Sequence, residues 1–279
     1  MEIRELTDQE FERMRELQLE CIKEFDKVCR NHNLNYVIAY GTLLGAVRHK
    51  GYIPWDDDAD ICMLREDYDK FIQVSNEMNP DVCYFQDNTT DPYYRWGYGK
   101  LRRTGTVHIR AGQAHLKCKT GVYVDLFPMD DIPMNTIGQK LQDIYCYCLR
   151  KITWSEVGRM QTTGLKKFWF TLLSKIPISW VYKSLEPIHK KSKNYTPNKV
   201  TCLLFPAPGK LYFKAPLKDR FGVPKSWFLD RAEYEFEGMK LFGSRDYDKV
   251  LSFIYHDYMT LPPEEKRIRK APVSDIKLV

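Results

Sequence analysis

Gly51-Tyr52-Ile53-Pro54-Trp55-Asp56-Asp57-Asp58-Ala59-Asp60-Ile61 is the stretch from which the rest of the chain is read. It places carboxylates at 56, 57, 58 and 60 and runs straight into the apolar Ile61-Cys62-Met63-Leu64. A strand that opens at Asp58-Ala59-Asp60 points both acids to one face, because strand side chains alternate. Neighbouring carboxylates repel, and each is costly to desolvate. A divalent cation relieves both problems, and an oxygen-only donor set favours Mg2+ or Mn2+. The run therefore predicts a metal site that handles phosphate, with Asp58 and Asp60 as ligands, Asp57 as a helper and Asp56 in the loop.

The flanks supply partners. Upstream, Tyr36–Tyr40 reads as a buried strand, and Gly41-Thr42 turns it into a short helix, Leu43–His49. A helix N-terminus offers free N–H groups, and a glycine lets phosphate come close, so Gly41 and Thr42 are candidate phosphate contacts. Downstream, Val122–Phe127 reads as a strand ended by Pro128, with Asp125 inside it. An acid in such apolar company is expensive unless it is paired or ligates a metal. The alternative for Asp125 is a strand-end acid that caps the next turn.

Further out, Thr7 and Glu10 have capping-box spacing and open a helix with Phe11, Met14, Leu17, Cys21, Ile22, Phe25 and Val28 at helical intervals. A helix is expected from about Glu66 to Met78, and strands over Val82–Gln86, Gly97–Arg103 and Thr106–Arg110. Residues 136–193 read as helical, with breaks at Gly158, Gly164, Pro177 and Pro187, and 194–224 as irregular. Tyr234–Phe242 suggests a hairpin turning at Glu237-Gly238, and Tyr247–Tyr258 a last helix before Pro262-Pro263. This order predicts an α+β class, with a mixed-sheet core over residues 1–134. Residues 135–279 are then a mostly helical region whose C-terminal hairpin and helix complete the site.

Composition narrows the setting. The 279 residues are 43% hydrophobic and 14% aromatic, which supports a sizeable core and argues against disorder. Eight scattered cysteines form no CxxC pair, so reduced thiols in a cytoplasmic protein are expected, and no zinc site. The N-terminus is charged from its second residue, unlike a signal peptide. The net charge of +6 is concentrated: residues 150–200 hold eleven Lys/Arg and two acids. Within them, Leu165–Lys183 is basic and aromatic but too interrupted to span a membrane. Two readings of this segment stand: a peripheral contact of residues 165–193 with an anionic membrane, or a core-packing helix pair with a solvated basic face. No nucleic-acid-binding motif accompanies the charge.

A turn with Gly-Thr, paired acids on one strand and a third acid on another together resemble the DNA polymerase β-like nucleotidyltransferase fold. More specifically, YGTLLGAVRHKGYIPWDDDADI resembles the signature of the LicD family of phosphocholine transferases, which includes relatives of fukutin. The likeness continues in WGYGKLRRTGT, GVYVDLFPMDDIP and EYEFEGMKLFGSRDYDKVLSFIYHDYMTLPPEEKR. It implies transfer of phosphocholine from CDP-choline to a hydroxyl of a cell-surface glycan, such as a teichoic acid, lipopolysaccharide or capsule precursor, with release of CMP. The acceptor is then expected to be lipid-linked.

In that setting Asp58, Asp60 and Asp125 hold the metal, and Asp57 either supports a metal ligand or helps to deprotonate the acceptor; otherwise it is a solvated loop acid. Arg48, Lys100 and Arg102 are candidate cations for the diphosphate, while alternation turns Arg103 away. A quaternary ammonium is held by aromatic faces with acids nearby. Trp55, Tyr93, Tyr94, Trp96 and Tyr98 could form such a cage, with Asp130 and Asp131 supplying charge; otherwise these two acids are turn residues before Pro133. Two alternatives remain: transfer of ribitol or glycerol phosphate from a CDP donor, and an inactive module that only binds glycan or membrane.

Overall fold

The computed structural model describes residues 3–192, 198–206, 220–269 and 272–279. Helix α1 (Asp8–Asn31) starts on the expected capping box: the Glu10 N–H donates to the Thr7 hydroxyl, and the Thr7 N–H donates back to the Glu10 carboxylate. Its apolar stripe is buried. After it come β1 (Val37–Ile38), α2 (Tyr40–His49), β2 (Asp60–Leu64) and α3 (Arg65–Val74). Strands β3 (Cys83–Gln86), β4 (Gly99–Arg103), β5 (Val107–Arg110) and β6 (Tyr123–Asp131) follow. α1 and α3 pack side by side against the sheet, with the Phe25 and Phe71 rings edge-on at 4.9 Å.

The helical region holds α4 (Thr136–Gln161), α5 (Gly164–Leu173) and α6 (Ile178–Ser192). Beyond it lie β7 (Lys199–Thr201), β8 (Val223–Pro224), α7 (Ser226–Leu229), β9 (Arg231–Phe236), β10 (Met239–Ser244), α8 (Tyr247–Tyr255) and β11 (Val273–Lys277). Among the described residues the main sheet runs β3-β4-β6-β2-β1-β10-β9, with β7 paired to the far end of β6 and β8 to β7. β2 runs parallel to β6, and β1 parallel to β10; the other pairs are antiparallel. The class is thus α+β with a mixed sheet, and strands from both sides of residue 134 share it. β5 and β11 form a separate two-stranded ribbon.

Several boundaries differ from expectation for identifiable reasons. β6 continues through Pro128 to Asp131. The Asp125 N–H donates to Ala59 O of the β2 side, so even-numbered residues of β6 turn their N–H towards β4. β4 pairing stops at Gly99 opposite Leu126, so the N–H that Pro128 lacks would have had no partner there. α4 runs through Gly158 because the glycine admits the Phe170 ring of α5; a Cβ there would lie 2.7 Å from the ring. Pro187 sits inside α6, held by Leu185 and Ile188 packing in one apolar cluster with α4. The 194–224 region contains β7 and β8; residues 193–197 and 207–219 lie outside the described residues. α8 ends at Tyr255, where His256 takes a positive φ of 60°.

The predicted hairpin forms as β9–β10. Glu237 (φ 49°) and Gly238 (φ 74°) both lie in the left-handed region, as a two-residue type I′ turn requires. The turn docks on the acidic loop: the Glu237 carboxylate accepts the Tyr52 N–H at 2.9 Å, and the Glu237 N–H donates to Lys50 O.

Candidate active site

Strand register assembles the centre. Asp60 of β2 lies opposite Asp125 of β6, and Asp125 lies opposite Lys100 of β4. The three form one row across adjacent strands and project from one face. Asp58, two residues before Asp60, joins them. Ligand oxygens of Asp58, Asp60 and Asp125 lie within 4.8 Å of one another, as do those of Asp56, Asp57 and Asp58. Asp58 therefore belongs to both groups.

The electrostatics are those of a carboxylate cluster lacking enough positive charge. Burial, followed by repulsion from Asp57, pushes Asp58 up to about 8. Burial, followed by repulsion from Asp58 and Asp125, pushes Asp60 well above the carboxylate range. Asp125 is paired with the Lys100 ammonium, which also stands 3.4 Å over the Tyr123 ring. Burial lowers Lys100 to about 8. The Asp58 and Asp60 carboxylates accept no hydrogen bond from a described residue. Two half-buried carboxylates without donors, converging with a third that is buried, fit an oxygen-seeking divalent cation.

The other expected site residues divide. The Thr42 hydroxyl accepts the Asp60 N–H at 2.8 Å, so it orients the ligand strand. Gly41 leaves room that the Asp56 carboxylate fills; a Cβ at 41 would overlap it. Asp56, read as loop, is thus lodged at the start of α2, and burial with Asp57 repulsion raises it to about 6. Arg102 shares the Lys100 face but is committed to Gln86 Oε1 at 2.7 Å and Gly121 O. Arg103 turns away, as expected, to Glu20 on α1. Arg48 bonds Tyr258 O and His49, not the acids.

The aromatic cage is not assembled as expected. Tyr94 is fully buried, Trp96 stacks with Trp154, Trp55 contacts His49 and Arg267, and Tyr93 is exposed beside Lys117. Tyr98 alone of the five joins the row's neighbours. It packs on Phe127, two residues from Asp125 on the same face, at 4.6 Å, with Phe205 and Tyr40 around the same ring. Asp130 and Asp131 are neither cage acids nor turn residues. They belong to β6, where Asp130 is locked to Arg65 and Asp131 to Lys225.

Three residues escaped the sequence reading. On α1, Arg15 donates to Ile53 O (2.5 Å) and Asp56 O (2.8 Å), and Gln18 donates to Asp57 O (3.0 Å). They hold the acidic loop by its backbone. Their signal was two polar residues at buried-stripe positions of an otherwise apolar helix face. Arg110 of β5 donates to the Tyr123 hydroxyl at 3.1 Å and is raised by Tyr123, then by Asp57, Asp58 and Asp125. Replacing Arg15 by Met should cost about 2–3 kcal/mol, because it strands buried carbonyls that a charged donor now satisfies. Urea unfolding reads this directly, and an unchanged midpoint would remove Arg15 from the loop's support.

Beside the row, past Tyr98, lies a cavity of about 470 Å³ between α3, residues 87–98 and α6. Tyr68, Tyr98 and Tyr182 line it together with Asp69, Asp87 and Glu186.

Residues 33–145 match the nucleotidyltransferase domain described as LicD/FKTN/FKRP. Along nearly its whole length the chain is similar to the lipopolysaccharide cholinephosphotransferase LicD of Haemophilus influenzae. Identity is 26% over 268 residues, covering 90% of this chain and 93% of that one. A short stretch of 53 residues is 47% identical to an uncharacterised protein of Rickettsia typhi, covering 19% and 17% of the two chains.

Proposed function

We propose, from the domain match over residues 33–145 and the likeness along 90% of its length, that the chain is a LicD-family transferase that moves phosphocholine from CDP-choline to a hydroxyl of a lipid-linked surface glycan, releasing CMP at the cytoplasmic side of a membrane. The observation that carries this reading is the row Lys100–Asp125–Asp60 with Asp58 beside it. Asp58, Asp60 and Asp125 would hold Mg2+ or Mn2+, which would supply charge neutralisation at the diphosphate and acidify the acceptor hydroxyl.

The chain's own groups do the rest. Asp57, half-buried at the rim of the cluster, accepts the proton of the acceptor hydroxyl. The hydroxyl oxygen bonds to the choline-bearing phosphorus as the bond from that phosphorus to the bridging oxygen breaks, and the electron pair leaves on CMP. Lys100 and Arg110, the cations facing the acids, stabilise the charge that builds on the diphosphate. Arg102 holds the strand against Gln86 rather than reaching phosphate. The half-buried rings of Tyr40, Tyr98 and Phe205 around Phe127 suit the trimethylammonium group, which cannot donate hydrogen bonds. The cavity's tyrosines and its mixed charges, Asp69, Asp87 and Glu186 with Arg65 and Lys183, suit the hydroxyls of an acceptor saccharide.

The donor alcohol is tested by following CMP release with CDP-choline, CDP-ribitol and CDP-glycerol in the presence of Mg2+ or Mn2+. CDP-choline should give the highest kcat/KM. Release from a polyol donor alone would replace phosphocholine with a polyol phosphate, and release from none would favour a binding module.

A further inference from the structure

α5 is an amphipathic helix turned inside out. Leu165, Phe168, Trp169 and Leu172 recur at i, i+3, i+4 and i+7, the spacing of a core-facing stripe. All four are exposed, between 39 and 73%, and no residue of α5 is fully buried. It is attached to the protein by Phe170, which packs on Gly158, and by Leu173, which packs on the cluster of α4 and α6. α4 repeats the pattern: Ile137, Leu141, Ile144 and Tyr145 line one face at i, i+4, i+7 and i+8, and each is at least 42% exposed. Further along, α4 buries Cys146, Leu149 and Ile152 in the cluster it shares with α6. On α6, Trp180 is 59% exposed while Val181 and Leu185 pack inward. The core-packing alternative thus describes α6 but not the outer faces of α4 and α5. An apolar patch of this extent marks a docking surface.

Charge selects the occupant. No acid occurs between Glu156 and Glu186, whereas Lys166, Lys167, Lys175 and Lys183 do, all of them exposed. None of the four pairs with an acid among the described residues. A second copy of this chain would bring the same lysines face to face. An anionic headgroup layer over an acyl interior complements both the lysines and the apolar stripe. No described helix is long and apolar enough to cross a membrane, so the contact is interfacial.

We infer that the outer face of the α4–α5 hairpin, extended by Trp180, lies on an anionic lipid surface with Phe168 and Trp169 below the headgroups. The inference rests on exposure and charge, not on the phosphocholine reading, so either can fail alone. It enlarges the expected 165–193 contact to include α4. It also sets Trp180 at the membrane beside Ile178 and Ser179, which line the acceptor cavity.

The experiment is co-sedimentation of the full chain with vesicles of phosphatidylcholine alone and of phosphatidylcholine mixed with phosphatidylglycerol, with tryptophan emission as a second signal. Binding should require phosphatidylglycerol, weaken with salt and shift emission to the blue. The paired substitutions Lys166→Glu and Lys167→Glu should reduce partitioning about tenfold. The pair Phe168→Ser and Trp169→Ser should do the same, with circular dichroism unchanged because α5 buries no residue. Equal binding to both vesicle types, or no binding to either, overturns the inference. A wild-type dimer that the Phe168 and Trp169 variants dissolve would also overturn it, by assigning the face to a second copy.

Discussion

Replacing Asp60 by Asn is expected to lower turnover by a factor of about 10³ or more while leaving the metal-free protein more stable than its parent. The two effects share one cause. Asp60 is half-buried beside Asp58 and Asp125 with no described hydrogen-bond donor on its carboxylate, and Lys100 and Arg110 offset only part of the cluster's charge. An amide of the same shape is neutral without having to bind a proton, so it sits in this crowded set at less cost. The gain in stability should be on the order of 1 kcal/mol, the usual size when a functional strain is relieved. Activity falls because a ligand is gone.

The pH dependence follows with a defined sign. Burial and mutual repulsion push Asp56 up to about 6 and Asp58 up to about 8, and hold Asp60 well above its usual range. The folded state therefore binds more protons than the unfolded state between about pH 4 and pH 8. Metal-free stability should fall as pH rises through that window, less steeply in Asp60→Asn. Metal affinity should rise over the same window, since the ion displaces those protons. Denaturant midpoints with and without Mn2+ test both. An Asp60→Asn protein that keeps full turnover, or that is destabilised without metal, would sink the assignment.

The second large effect concerns Lys100. Changing it to Met leaves Asp125 buried with Asp60 and Asp58 and without its cation. Breaking one side of a buried pair costs about 3–5 kcal/mol, so the metal-free variant should unfold at a clearly lower temperature. A divalent ion can replace the lost charge. Added Mg2+ or Mn2+ should therefore raise the melting temperature of Lys100→Met more than that of the parent, without restoring turnover if Lys100 acts on the diphosphate as proposed. Equal metal-induced shifts in the two proteins would show that Lys100 does not compete with metal for Asp125.

The sequence exposed some of this site and hid the rest for physical reasons. Asp58 and Asp60 were legible because strand alternation is local, and Asp125 because a charge amid Val122–Phe127 demands an explanation. The capping box at Thr7 and the Glu237-Gly238 turn were legible for the same reason: their chemistry is completed within four residues. Register was not legible. Nothing near Lys100 states that it lies opposite Asp125, because that pairing is set by two strands meeting. Arg15 and Gln18 act across a gap of some forty residues on carbonyls, and carbonyls carry no sequence signature. Asp56 looked like loop because the space that receives it is defined by Gly41 and the turn of α2. Pro128 misled because its cost depends on whether β4 extends beside it.

The pairing of Ile38 with Gly243 carries a consequence for how the protein comes into being. β1 is only two residues long, and β10 shields its open side from late in the sequence. A nascent chain that has emerged only through residue 145 holds all the acids yet lacks β10 and the Glu237 turn that fastens Tyr52. Synthesis must run past Ser244 before the sheet can close, so any divalent ion held by the acids is expected to enter only after that point. Refolding from denaturant should accordingly be slow, with metal protection appearing in the last phase.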